Sequence, residues 1–154
     1  NTVMVGMSVA QSVFTARHTR NADIAIEEAR TILKMSISWA ENFKKAAEKL
    51  LAIDMTPLKI AKVVKHVFPA NNTETDRQKE NREEIWSMVN SLYVNKNNAG
   101  GYGNNGWSMF NAVGEYLDHY RKADSTDRAH ASMDMYSWVT KTKAQTESYI
   151  LSLV

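Results

Sequence analysis

The chain has no cysteine. A disulfide framework and any thiolate metal site are therefore excluded, as fits a reducing compartment. It holds two prolines and six glycines, and four of the glycines crowd into residues 100–106. The rest is nearly free of strong breakers, which favours long helices. No apolar run approaches the roughly 20 residues needed to cross a bilayer, and no charged-then-apolar signal segment opens the chain. No membrane partner is expected, and cytoplasmic residence is, in the host cell if the gene is a phage's. The formal net charge is only +2, so nucleic-acid contact would rest on a local basic patch rather than on the total.

What is present suits one soluble domain. The 154 residues are 44% hydrophobic and 23% charged, enough to bury a core. Asn1-Thr2 stands where a methionine would, which points to a processed product or a fragment of a longer protein.

Helical periods dominate. Residues 2–11 are apolar and suit either helix or strand, and alternation through Val13, Thr15 and Arg17 suggests a short strand. From Ala22 to about Ile53, apolar residues recur at steps of three and four: Ile26, Ala29, Leu33, Ile37, Ala40, Phe43, Ala47 and Leu50. That stripe predicts one helix about 48 Å long, a length typical of a coiled coil or a bundle spine. Homo-oligomer formation through it is a partner expectation. Thr56-Pro57 opens a second helix and Pro69 stops it. Its expected buried face is Leu58, Ala61, Val64 and Val67 or Phe68, with Lys59, Lys62, Lys65 and His66 toward the other side. A third helix spans Asp76 to Val94, with Ile85, Met88 or Val89, and Leu92 inward. A fourth runs from Trp107 to about Arg121, and a last one covers roughly 127–152, with most of its bulk in Met135, Tyr136, Val139, Tyr149, Ile150 and Leu153. The expected fold is an all-α bundle of four to five helices around one long N-terminal helix.

GYGNNG, Gly101 to Gly106, is a literal G-x-G-x-x-G. A dinucleotide fingerprint needs a buried strand before the glycines and a βαβ context. Here a charged, helix-period segment precedes them. The loop reads as a mobile connector whose glycines and asparagines supply positive φ angles. An anion at the following helix N-terminus is a lesser expectation.

Asn111, Glu115, Asp118 and His119 fall at offsets 0, 4, 7 and 8, one face of a regular helix. The first reading is a polar seam docking the fourth helix on its neighbours, His119 helping to satisfy its last carbonyls. The alternatives are a metal site at Glu115 and His119, completed by His130 or Asp134, and an acid–base site of Glu115 or Asp118 with His119. No H-E-x-x-H pattern supports them, so no metal, cofactor or catalytic residue is assigned. Arg17, His18 and Arg20, with Lys59, Lys62 and Lys65, are the candidate nucleic-acid contacts. No aromatic residue interleaves with those lysines along the chain, as a single-strand groove requires.

The residues also carry a resemblance. Asn1-Thr2-Val3, ARHTRNAD (16–23), MTPLKIAKVVKHVFP (55–69) and GWSMFNAVGEYLDHY (106–120), in that order, resemble the C-terminal half of a phage/plasmid-like family of unknown function. Trp107, Asn111, Ala112, Val113, Glu115, Tyr116, Asp118 and His119 fall in register with its N-A-V-x-E-Y-x-D-H motif. The family's N-terminal half is missing here, and a W-x-G feature expected after Arg128-Ala129 is not found; Trp138 comes later. The resemblance implies origin more than mechanism: a non-catalytic phage- or plasmid-encoded accessory protein acting by binding or self-association. Its rival is a nucleic-acid-binding accessory of DNA replication or recombination.

Overall fold

The computed structural model describes residues 22–97 and 99–154. The expected strand, and Arg17, His18 and Arg20, lie outside the described residues. The described chain is all-α: α1 (Ala22–Leu51), α2 (Pro57–Val67), α3 (Asp76–Val94), α4 (Gly106–Glu115), α5 (Ser125–Met133) and α6 (Trp138–Leu151). A 3-10 turn, Ala99–Tyr102, precedes α4, and a π-helical turn, Tyr116–Tyr120, follows it.

Two compact units divide the chain, one ending at Glu48 and the other running from Lys49 to Val154. In the first, α1 is one unbroken helix, as its apolar period requires. Its less exposed line passes through Ala29, Ile32, Ser36, Trp39, Phe43 and Ala46, while Leu33, Ile37 and Ala40 are exposed. The expected stripe holds at Ala29, Phe43 and Ala47 and is displaced by one residue between Ala29 and Phe43. Trp39 and Phe43, one turn apart, stack at 5.4 Å between ring centroids and partly cover each other.

In the second unit the core is Leu50, Ile53 and Met55 with side chains from α2, α3, α4, the π turn and α6. α4 is its centre and packs on both α3 and α6. Met109, Ala112 and Val113 of α4 and Leu117 just beyond it are completely covered. The helix starts are those the sequence encodes. Thr56 caps α2, its hydroxyl accepting from Lys59 N–H ahead of Pro57. Thr75 and Gln78 form a reciprocal capping box on α3.

Two expectations change and one open choice is resolved. On α2 the inward residues are Ile60, Val63, Val64, Val67 and Phe68, whereas Leu58 and Ala61 are exposed. The expected face holds at Val64, Val67 and Phe68; in the first turns Ile60 and Val63 take the places expected for Leu58 and Ala61. On α3, Val89 is buried and Met88 exposed. The single last helix is two. Asp134 Oδ1 accepts from Tyr136 N–H, and Ser137 caps α6 through Thr140 N–H. This side-chain-to-backbone bonding ends α5 without glycine or proline. Met135 and Tyr136 are consequently exposed.

Candidate functional site

The glycine loop is tied down. Met55 N–H donates to Asn104 O (3.4 Å) and Gly106 N–H to Ile53 O (2.9 Å). Asn104 also joins the Tyr93 hydroxyl to Asp54: its Oδ1 accepts from Tyr93, and its Nδ2 donates to Asp54 Oδ1 at 3.4 Å. Burial, and to a lesser degree the Asp54 charge, hold the Tyr93 pKa above its usual 10.0. Gly103 alone among the described residues has a positive φ, +93°; the asparagines do not supply one. Asn105 caps α4, accepting from Ser108 N–H at 3.0 Å. The Gly106 and Ser108 N–H groups that would hold an anion are thus spent on Ile53 and Asn105. The GYGNNG stretch is a latch between the connection at Ile53–Met55 and the start of α4.

The expected polar face is reorganised by the π turn. Arg121 N–H bonds to Tyr116 O, five residues back, at 2.9 Å. The wider turn inserts one residue into the helical count, so Asn111, Glu115, Asp118 and His119 no longer form a single line. Asn111 Nδ2 donates to the Trp107 carbonyl (2.8 Å) within its own helix. Glu115 is half-buried and His119 exposed. Asp118 turns inward. Its Oδ1 accepts from Lys143 Nζ (2.7 Å) and Ser132 Oγ (2.5 Å), and its Oδ2 from Lys143 Nζ (2.8 Å). The side chains of Lys143 and Asp118 are only 6% and 16% exposed. Asp118 thus clamps the π turn to α5 through Ser132 and to α6 through Lys143.

Lys143 and Ser132 were not among the sequence candidates. The signal for Lys143 was available: Val139, Lys143, Thr146 and Ile150 recur at steps of four, three and four and are the buried positions of α6. A lysine on an apolar stripe demands a buried acid. No group of three or more His, Asp or Glu side chains able to hold a metal ion occurs among the described residues. His130 is exposed and Asp134 Oδ1 caps Tyr136 N–H.

The α2 lysines fare differently. Lys62, Lys65 and His66 are exposed and Lys59 half-buried. Aromatic rings reach them from other helices. Lys65 Nζ lies 5.9 Å from the centroid of the Trp86 ring and the Arg82 guanidinium 4.5 Å, both within cation–π range. His66 stacks on Tyr149 at 3.8 Å, the planes 4° apart. Trp86 Nε1 donates to Phe68 O (3.1 Å), and Arg82 pairs with Glu74 at 2.9 Å, fixing the platform. The aromatic neighbours missing along α2 are present in space. No described helix is long and apolar enough to cross a membrane.

A family model described as a domain of unknown function (DUF932) matches residues 1–147. No curated protein and no solved structure matches the chain.

Proposed function

Because the chain belongs to the DUF932 family, a domain of unknown function, we propose that it is a non-catalytic accessory module that acts by binding. The observation that carries this reading is the Lys143–Asp118–Ser132 clamp. Asp118, the half-buried acid of the motif face, is paired with Lys143 and ties its own π turn to two further elements, α5 and α6, which is an architectural use of its charge. His119 beside it is exposed. The order of motifs around Trp107 to His119 supports a phage or plasmid origin, with action in the host cytoplasm. Self-association through α1 is one route of binding: Ile26, Leu33 and Ile37 are exposed at coiled-coil spacing. Sedimentation over a concentration series tests it. An oligomer that Leu33→Glu with Ile37→Glu converts to monomer supports it, and monomer throughout refutes it.

A second reading is nucleic-acid binding at α2, favoured by Lys65 standing over Trp86 with Arg82, by the His66–Tyr149 stack, and by the exposed Lys62 on the same helix. Single-stranded DNA affinity would then fall steeply with salt. The triple Lys59, Lys62 and Lys65 to Ala variant would weaken it without unfolding the chain. Absence of DNA binding at low salt removes this reading.

A further inference from the structure

The corner between α5 and α6 displays apolar side chains on a bonded frame. Met133, Met135, Tyr136 and Trp138 are 68%, 49%, 74% and 52% exposed. A fully exposed aromatic side chain offers about 150–250 Å², so the four together present several hundred Å². That is the size class of surface that marks interaction sites on monomers. The turn that carries them is fixed from within. Tyr136 N–H is held by Asp134 Oδ1 at 2.9 Å, Ser137 N–H by Asp134 O at 3.1 Å, and Thr140 Oγ1 donates to Asp134 O at 2.8 Å. Ser137 Oγ also donates to Ala131 O. Ordering cost on binding is thereby reduced in advance. Trp, Tyr and Met beside an Arg is the composition of interface hot spots.

The Arg is Arg121. Its guanidinium lies 5.4 Å from the centroid of the Trp138 ring. Its Nε donates to Leu117 O at 3.4 Å, but Nη2 is buried with no hydrogen-bond partner, the one such side-chain atom among the described residues. A covered charged donor without an acceptor is costly, and a guanidinium is shaped to take a carboxylate. Tyr120, His119, His130 and Lys141, all exposed, stand on the elements that meet here. Asp134, the acid within the turn, has Oδ1 engaged by Tyr136.

We propose that this corner docks an acidic, apolar-containing peptide segment of a partner protein. A carboxylate of that segment pairs with Arg121 once the half-exposed Trp138 ring above it tilts. Apolar side chains of the segment lie on Trp138, Tyr136 and the two methionines. The proposal rests on the reading of the chain as a binding module and names the partner chemistry of one face.

The test uses the full chain and a short fluorescent peptide of alternating glutamate and leucine, with a lysine–leucine peptide as counterpart, followed by polarisation. Wild type is expected to bind the acidic peptide and not the basic one. Tyr136→Ser with Trp138→Ser is expected to weaken binding by about thirtyfold or more, since the loss of a single hot-spot residue has an effect of that size. Arg121→Gln is expected to remove the salt dependence. If the double variant fails to fold, Tyr136→Ser alone serves, because that ring is mostly exposed. No binding of the acidic peptide, equal binding of both peptides, or affinity unchanged in the variants overturns the proposal. So does an oligomer of the wild-type chain that Tyr136→Ser dissolves, which would make a second copy the occupant. Failure here leaves the binding-module reading standing, since sedimentation of the α1 variants and DNA titration judge that reading separately.

Discussion

Replacing Lys143 by Met should destabilise the second unit by about 3–5 kcal/mol, the cost of leaving one member of a buried ion pair alone. Lys143 reaches both Asp118 oxygens, at 2.7 and 2.8 Å, and the two side chains are 6% and 16% exposed. Methionine fills nearly the same volume, so no cavity contribution is expected. What remains is a carboxylate largely shielded from water with Ser132 Oγ, 2.5 Å away, as its retained side-chain donor. A hydrogen bond to a charged group contributes about 1.5–3 kcal/mol, which places the expected cost nearer 3 than 5. For a domain of this size the melting temperature should drop by roughly 6–20 °C. Urea unfolding followed by tryptophan fluorescence measures the free energy, read at unchanged m. The partner variant, Lys143→Met with Asp118→Leu, should recover most of the loss, because an apolar pair of matching volume is often neutral or better in place of a buried ion pair. The double-mutant cycle then yields a large coupling. A single-variant cost below about 1 kcal/mol, the range of exposed pairs, would refute the reasoning. So would single costs that simply add in the double variant.

Two glycines of α4 should respond in opposite directions. A Cβ on Gly106 would meet Ile150 Cγ2 and the Leu50 carbonyl oxygen, each at 2.8 Å, so Gly106→Ala should cost about 1–3 kcal/mol by overpacking. Gly114 has nothing within 4 Å of that position, and Gly114→Ala should add about 0.5–1 kcal/mol by helix propensity; thermal melts check both. Asp124 caps α5, and the hydrogen bond from the Asp127 backbone leads the causes that hold its pKa below the usual 3.8. A depressed carboxylate contributes stability above its unfolded pKa and loses it as pH falls through the folded one. The melting-temperature gap between wild type and Asp124→Ala should therefore be full at neutral pH and narrow below 3.8; a gap independent of pH would count against the cap. Burial raises the phenols of Tyr93 and Tyr116 above 10.0, with Arg121 partly opposing the rise at Tyr116. Their contribution is complete below that value and declines as pH climbs past it, so ultraviolet titration should show these two among the last of six tyrosines to ionise.

How much was legible without coordinates follows from the range of the forces involved. The existence and approximate span of α1, α2, α3 and α4 were readable, because apolar period and the Thr56-Pro57 start act within about one helical turn. The absence of cysteine and of long apolar runs bounded the chemistry in the same way. Phase was harder. Whether Leu58 or Val63 faces inward depends on what α6 and α3 present to α2, and those residues are far away along the chain. The break at Asp134 used a side-chain-to-backbone bond, a subtler stop than glycine or proline, and the π turn after Glu115 shifted Asp118 off the line that a regular helix predicts. Only tertiary packing brought Lys143 to Asp118 and Trp86 to Lys65, because a buried charge finds its partner across elements while helix formation is settled between near neighbours.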